Sequence, residues 1–225
     1  MSQQPKQRYA FAEDLPLNPV DVGSNILVTE PTVGGTHKSV MKLLIGSGNE
    51  GLLFVTTSQT GRETIDLFED CGGRYTKNRM AVVDASEEGR ESVPLNIRTV
   101  SRPSNLTGIN ILYSSLYEQL QSSGIARVRT GFYDLSSLLT YNGDVRTIFR
   151  FLHTLTGRIK TSEGLGIFVI DPETQSEQTL RSLMQPFDGR IDIRAVDADA
   201  GEFELTTKGF DDQPEEWQSF ALSGE

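Results

Sequence analysis

Residues 25–39, with the sequence NILVTEPTVGGTHKS, carry the side chains best suited to chemistry. An apolar strand over residues 26–29 leads into a glycine-containing turn, and Lys38 and Ser39 then open a helix over residues 38–45. In this layout the backbone N–H groups of the turn and the N-terminus of the helix surround an anion such as phosphate. A lysine supplies a positive charge, and a serine hydroxyl is a ligand for Mg²⁺. The segment therefore predicts a phosphate-binding loop of the P-loop type.

The motif is incomplete at both of its defining glycines. Counting back from Lys38 and Ser39 along G-x-x-x-x-G-K-[ST] places Thr32 at the first glycine and His37 at the second. The side chain of His37 crowds the anion, and at positive φ it costs about 1 kcal/mol or more of backbone strain. We therefore expect weaker phosphate binding than a complete motif provides.

The rest of the loop retains groups that suit phosphate. Gly34, Gly35 and Thr36 form a flexible turn whose N–H groups are available, and a protonated His37 would add a contact of its own. We expect residues 34–39 to contact phosphate. The alternative that the local residues leave open is an ordinary strand–turn–helix junction with a chance Lys-Ser pair.

The overall charge narrows the classes of partner. The 225 residues carry a net charge of −10 with a sequence pI near 4.8, and six of the basic residues are lysines. An acidic, lysine-poor composition suits a salt-rich cytoplasm, where charge repulsion is screened. The same charge argues against sequence-independent binding of nucleic acid, which needs a basic face. A local basic strip over Arg146, Arg150, Arg158 and Lys160 is the exception.

The cysteine and hydropathy patterns indicate a cytoplasmic location. Cys71 is the single cysteine, so an internal disulfide is excluded, and with two histidines a zinc site is not expected. The first residues are polar and do not resemble a signal peptide. No run approaches 18 apolar residues, so we expect no transmembrane helix and no membrane partner.

The order of elements predicts an α/β fold. Apolar runs predict buried strands, and segments of helical periodicity alternate with them. The strands are expected at residues 26–29, 51–57, 80–83, 97–100, 127–135 and 166–171, and the helices at 38–45, 62–70, 107–122, 145–160 and 175–184. Alternation of this kind implies right-handed βαβ units and a mainly parallel sheet.

The two ends of the chain differ in composition and pattern from the region of alternating strands and helices. Residues 1–20 contain three prolines and predict a flexible N-terminal arm, and residues 210–225 form an acidic C-terminal tail. Residues 190–196 and 202–207 alternate in polarity around Asp197-Ala-Asp-Ala-Gly201, which predicts a terminal β-hairpin. A single domain over residues 21–209 is therefore expected between the arm and the tail.

The candidate residues fall at one edge of the predicted sheet. Open α/β sheets bind ligands at the carboxyl ends of their strands. Residues 32–39 follow the first buried strand, and Asp134 and Asp171 each end a later one. This placement favours a real site over a chance motif.

The chain resembles the RecA/KaiC-like ATPases over residues 21–209. The residues that carry this resemblance are the segments ILVTEPTVGGTHKS, GLLFVTT, GFYDLSSLL and LGIFVIDPETQSEQTLRSLMQPFDGRIDIR. More narrowly, TGINILYSSLYEQL and VRTIFRFLHTLTGRI resemble a single-domain branch typical of halophilic archaea. The resemblance implies a RecA-like three-layer sandwich with a mainly parallel central sheet, flanking helices and a C-terminal β-hairpin.

The resemblance also implies roles for particular residues. Lys38 would contact the β- and γ-phosphates of ATP, and Ser39 would ligate Mg²⁺. Gly35 and Thr36 match the Gly-Thr of the family's loop. Asp134 would orient Mg²⁺ through water, because Asp-Leu-Ser-Ser-Leu-Leu resembles the family's continuation at that point. Asp171 remains the alternative, since it also ends a buried strand.

One family feature is missing. KaiC-like ATPases place a catalytic glutamate just after the second strand, where this chain has Thr57-Ser58-Gln59-Thr60. Gln59 is a weak catalytic candidate, because an amide can position water but is a poor base. The resemblance therefore implies a protein that binds ATP and Mg²⁺, has weak or absent ATPase activity, and acts in regulation or signalling.

Two other functions stay open at this point. In the first, the protein is an active ATPase completed by oligomerisation, with Arg146, Arg150 or Arg158 of a neighbouring copy at the phosphate. In the second, it is a pseudo-ATPase scaffold that binds a protein partner without nucleotide.

Overall fold

The structure, a computed structural model, describes residues 7–31, 38–46, 49–198 and 200–222. The first strands along the chain are β1 (Arg8–Tyr9), β2 (Val20–Asp21), β3 (Asn25–Thr29), β4 (Gly51–Thr56), β5 (Met80–Asp84) and β6 (Ile97–Thr99). The later strands are β7 (Val128–Tyr133), β8 (Leu165–Ile170), β9 (Gly189–Asp197), β10 (Glu202–Lys208) and β11 (Gln218–Ala221). The helices are α1 (Lys38–Leu43), α2 (Gly61–Asp70), α3 (Leu106–Ser122), α4 (Leu135–Asn142), α5 (Val145–Thr161) and α6 (Glu177–Leu183).

A nine-stranded sheet forms the centre of the molecule. Its strand order is β11-β10-β9-β3-β8-β7-β4-β5-β6, and the pairs from β9 to β6 are parallel. At the other end, β9, β10 and β11 pair antiparallel. The predicted α/β fold, with a mainly parallel sheet and a C-terminal hairpin, is confirmed.

Helices cover both faces of the sheet, so the fold has three layers. Successive side chains of a strand point to opposite faces. In β3, Leu27 packs in a core with side chains of α3, α4, α5 and α6, whereas Ile26 and Val28 pack in a second core with side chains of α1 and α2. Strands buried on both faces read as continuous apolar runs, which is why the sequence predicted them.

Two helical segments differ from the predictions. No helix was predicted at α4. Asp134 is the N-cap of this helix, and Gly143, with φ of 62°, is its C-cap. The predicted helix over residues 175–184 is α6, which is shorter at both ends (Glu177–Leu183), and the 3₁₀ turn Pro172–Thr174 precedes it. Gln175 is extended between them, and Ser176 caps α6 by accepting a hydrogen bond from the Thr179 amide.

The segments outside residues 21–209 contact the central domain. Tyr9 is fully buried, and its hydroxyl donates to the carbonyl oxygens of Val128 and Glu163 at 3.4 Å and 3.2 Å. At the other end, Phe220 of β11 is buried and stacks with Phe203, with 5.8 Å between ring centroids. The division at residues 20 and 209 into arm, domain and tail stays a prediction.

No helix within the described residues is long and apolar enough to cross a membrane.

Candidate functional site

The carboxyl ends of four neighbouring strands define the candidate site. In the order of the sheet these strands are β3, β8, β7 and β4. The residues that follow them directly are Glu30, Asp171, Asp134 and Thr57, and all four are buried. Three carboxylates therefore stand along the edge where the sequence predicted a ligand.

Helix α1 presents the two predicted phosphate-site residues in different environments. Lys38 opens the helix and is exposed, whereas Ser39 is fully buried. The carbonyl of Lys38 lies 3.5 Å from the Cys71 sulfur, at the end of α2. The predicted contacts from Gly34, Gly35, Thr36 and His37 lie outside the described residues.

A glycine in β7 brings α1 close to the sheet. A Cβ on Gly131 would lie 2.6 Å from Leu44, which follows α1, and 3.2 Å from Phe54 of β4. Both neighbouring side chains are buried in the core beneath α1. Close packing at Gly131 therefore positions Lys38 and Ser39 at the carboxyl edge.

Glu30 contacts the hydroxyl predicted to ligate Mg²⁺. One of its carboxylate oxygens, Oε1, accepts hydrogen bonds from the Ser39 hydroxyl and, at 3.3 Å, from the Ser39 amide. Glu30 is only 2% exposed, and its other oxygen, Oε2, has no hydrogen-bond partner within the described part of the chain. A buried carboxylate with one unsatisfied oxygen is therefore directly beside Ser39.

Burial raises the pKa of Glu30 to about 7, because the ionised carboxylate loses its water. Hydrogen bonds from Ser39 and the nearby backbone amide of Val40 lower this pKa, but they offset only part of the effect of burial, and the negative charge of Asp171 raises it further. Glu30 and Asp171 directly follow the paired strands β3 and β8, so two buried carboxylates are neighbours at this edge of the sheet.

The side chain of Asp134 accepts hydrogen bonds from the first turn of α4, the helix that it caps. Its side chain caps α4 by accepting from the Ser136 amide at 2.6 Å and from the Ser137 hydroxyl at 3.3 Å. Its backbone is tied to Thr57, whose hydroxyl donates to the Asp134 carbonyl at 2.6 Å. Both side-chain oxygens of Asp134 are therefore already engaged.

Asp171 joins β8 to α4. Its amide donates to the Ser136 hydroxyl at 2.8 Å, and its side chain accepts from the Glu173 amide at 2.8 Å. The amide of Glu30 donates in turn to the carbonyl of Ile170 at 3.1 Å. This chain of hydrogen bonds fixes the ends of β3, β8 and β7 relative to one another.

Gln59 lies in the turn between β4 and α2. The Thr56 hydroxyl donates to the Gln59 carbonyl at 2.8 Å, and the side-chain oxygen of Gln59 is buried without a hydrogen-bond partner among the described residues. An amide oriented in this way has an oxygen free to accept from a water molecule.

The predicted basic strip lies partly in a groove. Arg146 and Arg150 line an open groove of about 780 Å³ between α5 and α6, together with Phe149. Arg158 lies about two turns further along α5. A role of these arginines at a neighbour's phosphate stays a prediction.

No role for Glu30 was predicted from the sequence. A signal was present, because an acid stands alone between a buried apolar strand and Pro31. Its significance depends on contact with Ser39, nine positions away, and that contact follows from the fold.

The donor groups at this edge suit Mg²⁺ with a nucleotide phosphate. Mg²⁺ takes oxygen ligands, and in nucleotide sites it is held by one or two protein groups, phosphates and water. The Ser39 hydroxyl and the unsatisfied oxygen of Glu30 are such ligands. Within the described residues, no cluster of three or more metal-binding His, Cys, Asp or Glu side chains is present.

Comparisons with known proteins give a family and a fold. A family model described as "Family of unknown function (DUF7504)" matches residues 23–193. No curated protein matches the sequence. The structure is similar to the crystal structure of a KaiC-like protein from the hyperthermophilic archaeon Pyrococcus horikoshii, with a TM-score of 0.66 and 16% identity over 96% of this chain and 95% of that chain.

Proposed function

This chain belongs to the DUF7504 family of unknown function, and we propose that it is a nucleotide-binding protein with weak or absent ATPase activity. The observation that carries the proposal is the position of Lys38 and Ser39, which open α1 beyond the carboxyl end of β3. The similarity to a KaiC-like protein supports a P-loop reading of this position.

Different groups at the site would bind the phosphates and the Mg²⁺ ion of Mg²⁺-ATP. The exposed ammonium of Lys38 is free to reach phosphate oxygens, and residues 34–37 would add backbone N–H groups. Ser39 would hold Mg²⁺, with Asp134 expected to orient it through water. When bound, the ion would neutralise charge on the phosphates.

The residues that follow β4 favour weak or absent ATP hydrolysis over fast hydrolysis. The segment Thr57-Ser58-Gln59-Thr60 stands where KaiC-like ATPases are expected to place their catalytic glutamate, and the Thr57 hydroxyl is bonded to the Asp134 backbone. Gln59 carries an amide, which can orient water but does not accept its proton. The loop itself is a degenerate Walker A motif, with Thr32 and His37 at the glycine positions.

A protein that binds ATP without fast turnover is suited to regulation. ATP would favour one conformation of the protein over another, and a second copy or a signalling partner would recognise that conformation. The acidic, lysine-poor composition supports membership of a halophilic branch and a salt-rich cytoplasm.

Calorimetry of ATP binding with Mg²⁺ in molar KCl tests the proposal. Wild type should bind, and Lys38→Ala should lose at least about tenfold in affinity, because it removes a charge from the phosphates. Lys77→Ala is the matched control, since Lys77 is an exposed lysine after α2. Binding unchanged by Lys38→Ala, or absent in a folded wild type, would overturn the proposal, and absence would leave the scaffold function.

A further inference from the structure

We propose that Glu30, in place of Asp134, is the acid that holds Mg²⁺ together with Ser39, and that it makes nucleotide binding depend on the cation. This inference rests on the proposed function, because the cation is taken to arrive with the nucleotide. It changes the predicted ligand set from Ser39 and Asp134 to Ser39 and Glu30.

The first argument is the direct contact between the two side chains. The Ser39 hydroxyl, which is the predicted Mg²⁺ ligand, donates to Oε1 of Glu30. A cation bound to that hydroxyl would therefore lie within reach of the Glu30 carboxylate. Within the described residues, the side-chain contacts of Asp134 are instead with Ser136 and Ser137 of its own helix.

The second argument is the unsatisfied oxygen. Oε2 of Glu30 is buried and has no hydrogen-bond partner within the described part of the chain. Leaving a buried polar atom unpaired is costly, and native structures usually provide a partner for it. A divalent cation is a partner that suits a carboxylate oxygen.

The third argument is the balance of charge. Glu30 and Asp171 directly follow the paired strands β3 and β8, and both carboxylates are buried. Phosphates at α1 would add further negative charge. Mg²⁺ at Glu30 and Ser39 would offset this repulsion. Without the cation, the Glu30 carboxylate would oppose the phosphates.

The test compares ATP affinity with excess Mg²⁺ and with EDTA, by calorimetry, in wild type, Glu30→Gln and Asp134→Asn. Wild type should bind at least about tenfold more tightly with Mg²⁺. Glu30→Gln should lose most of this ratio, yet in EDTA it should bind ATP at least as tightly as wild type, because a negative charge is gone. Asp134→Asn should lose much less of this ratio than Glu30→Gln, because an acid that acts through water contributes less than a direct ligand. The glutamine retains an oxygen that accepts from Ser39, and thermal melting checks that each variant is folded.

The possible failures are distinct. If Glu30→Gln keeps the Mg²⁺ ratio of wild type, Glu30 is not a ligand, and this inference is wrong while the proposed function stands. If Glu30→Gln tightens ATP binding equally with and without Mg²⁺, Glu30 only repels phosphate, which also overturns the inference. If folded wild type binds no ATP under either condition, the proposed function falls and the inference with it.

Discussion

The hydroxyl of Thr57 links the ends of β4 and β7 through the backbone of Asp134. It donates to the Asp134 carbonyl at 2.6 Å and accepts from the Asp134 amide at 3.3 Å, and both residues are buried. The two bonds hold the start of α4 against the end of β4. Thr57 therefore has a structural role within Thr57-Ser58-Gln59-Thr60, the segment where the resemblance implies that KaiC-like ATPases carry a catalytic glutamate.

Thr57→Val should destabilise the fold by about 1–3 kcal/mol. The substitution keeps the shape but leaves the amide and carbonyl of Asp134 without the bonds that Thr57 provides. The free energy of unfolding from chemical denaturation measures this cost. Thr154→Val is the control, because the Thr154 hydroxyl is exposed and donates to the Arg150 carbonyl of its own helix. Equal costs in the two variants would contradict the structural role of Thr57.

Local signals predicted much of the fold. The apolar run over residues 51–57 became β4, and the amphipathic segment after Asp144 became α5, with Asp144 as its N-cap. Both depend on short-range pattern and capping, which a sequence displays directly. Helix α4 was missed although Leu135, Leu138 and Leu139 have helical spacing, because the segment is short and its Ser and Thr residues favour helices weakly.

Long-range contacts account for what the sequence did not show. The Tyr9 hydroxyl donates hydrogen bonds to two carbonyl groups that are 119 and 154 positions further along the chain. Strand β11 also depends on pairing with β10. The contact between Glu30 and Ser39 likewise exists only once β3 and α1 have packed. At the candidate site, the roles assigned to Lys38, Ser39, Asp134 and Gln59 stay predictions, and those of residues 34–37 concern residues outside the described part of the chain.

Arg129→Met should destabilise the fold by about 2–4 kcal/mol, because it removes the buried arginine of the two that pair with the Glu50 carboxylate and leaves Arg127 at 3.2 Å. The Arg129 guanidinium donates to Glu50 at 2.6 Å and to the Ala10 carbonyl, and the two charged side chains are 1% and 5% exposed. Loss of the Ala10 contact should also increase proteolysis near residues 7–15. Denaturation and limited proteolysis measure the two effects.

Arg181→Met is the matched control for Arg129. Arg181 pairs with Glu177 at 2.9 Å, but both side chains are more than 80% exposed. Exposed pairs of this kind contribute less than about 1 kcal/mol. If Arg181→Met lowered the free energy of unfolding as much as Arg129→Met, burial would not determine how much stability is lost with these ion pairs.

Two glycine substitutions should change stability in opposite directions. Gly131→Ala should cost about 1–3 kcal/mol, because its Cβ would lie 2.6 Å from buried Leu44. Gly157→Ala, on the exposed side of α5, should stabilise the protein by roughly 0.5–1 kcal/mol, because a Cβ there meets nothing within 4 Å and alanine favours helices. Denaturation midpoints compare them. A stable Gly131→Ala variant would contradict close packing beneath α1.

Asp192 should contribute stability that is lost in acid. Burial acts to raise its pKa, but hydrogen bonds from Thr29 and Lys208 and the charge of Arg190 outweigh burial and hold the pKa below the ordinary value of 3.8. The Thr29 hydroxyl donates at 2.5 Å, and the guanidinium of Arg190 donates at 2.8 Å. The ionised form is therefore favoured by folding.

The sign of the effect follows from the lowered pKa. An acid whose pKa is depressed in the folded state stabilises the protein above its unfolded pKa, and this contribution disappears as the pH falls through the folded value. Asp192→Asn should thus cost roughly 1–2 kcal/mol at pH 7 and progressively less below pH 4, so that its stability curve approaches that of wild type in acid. Denaturation across this range measures it, with Asp66→Asn as control, because the Asp66 side chain is on the outer side of α2 and 48% exposed. A difference between Asp192→Asn and wild type that stays constant down to pH 2 would mean that the Asp192 charge is not what stabilises the fold.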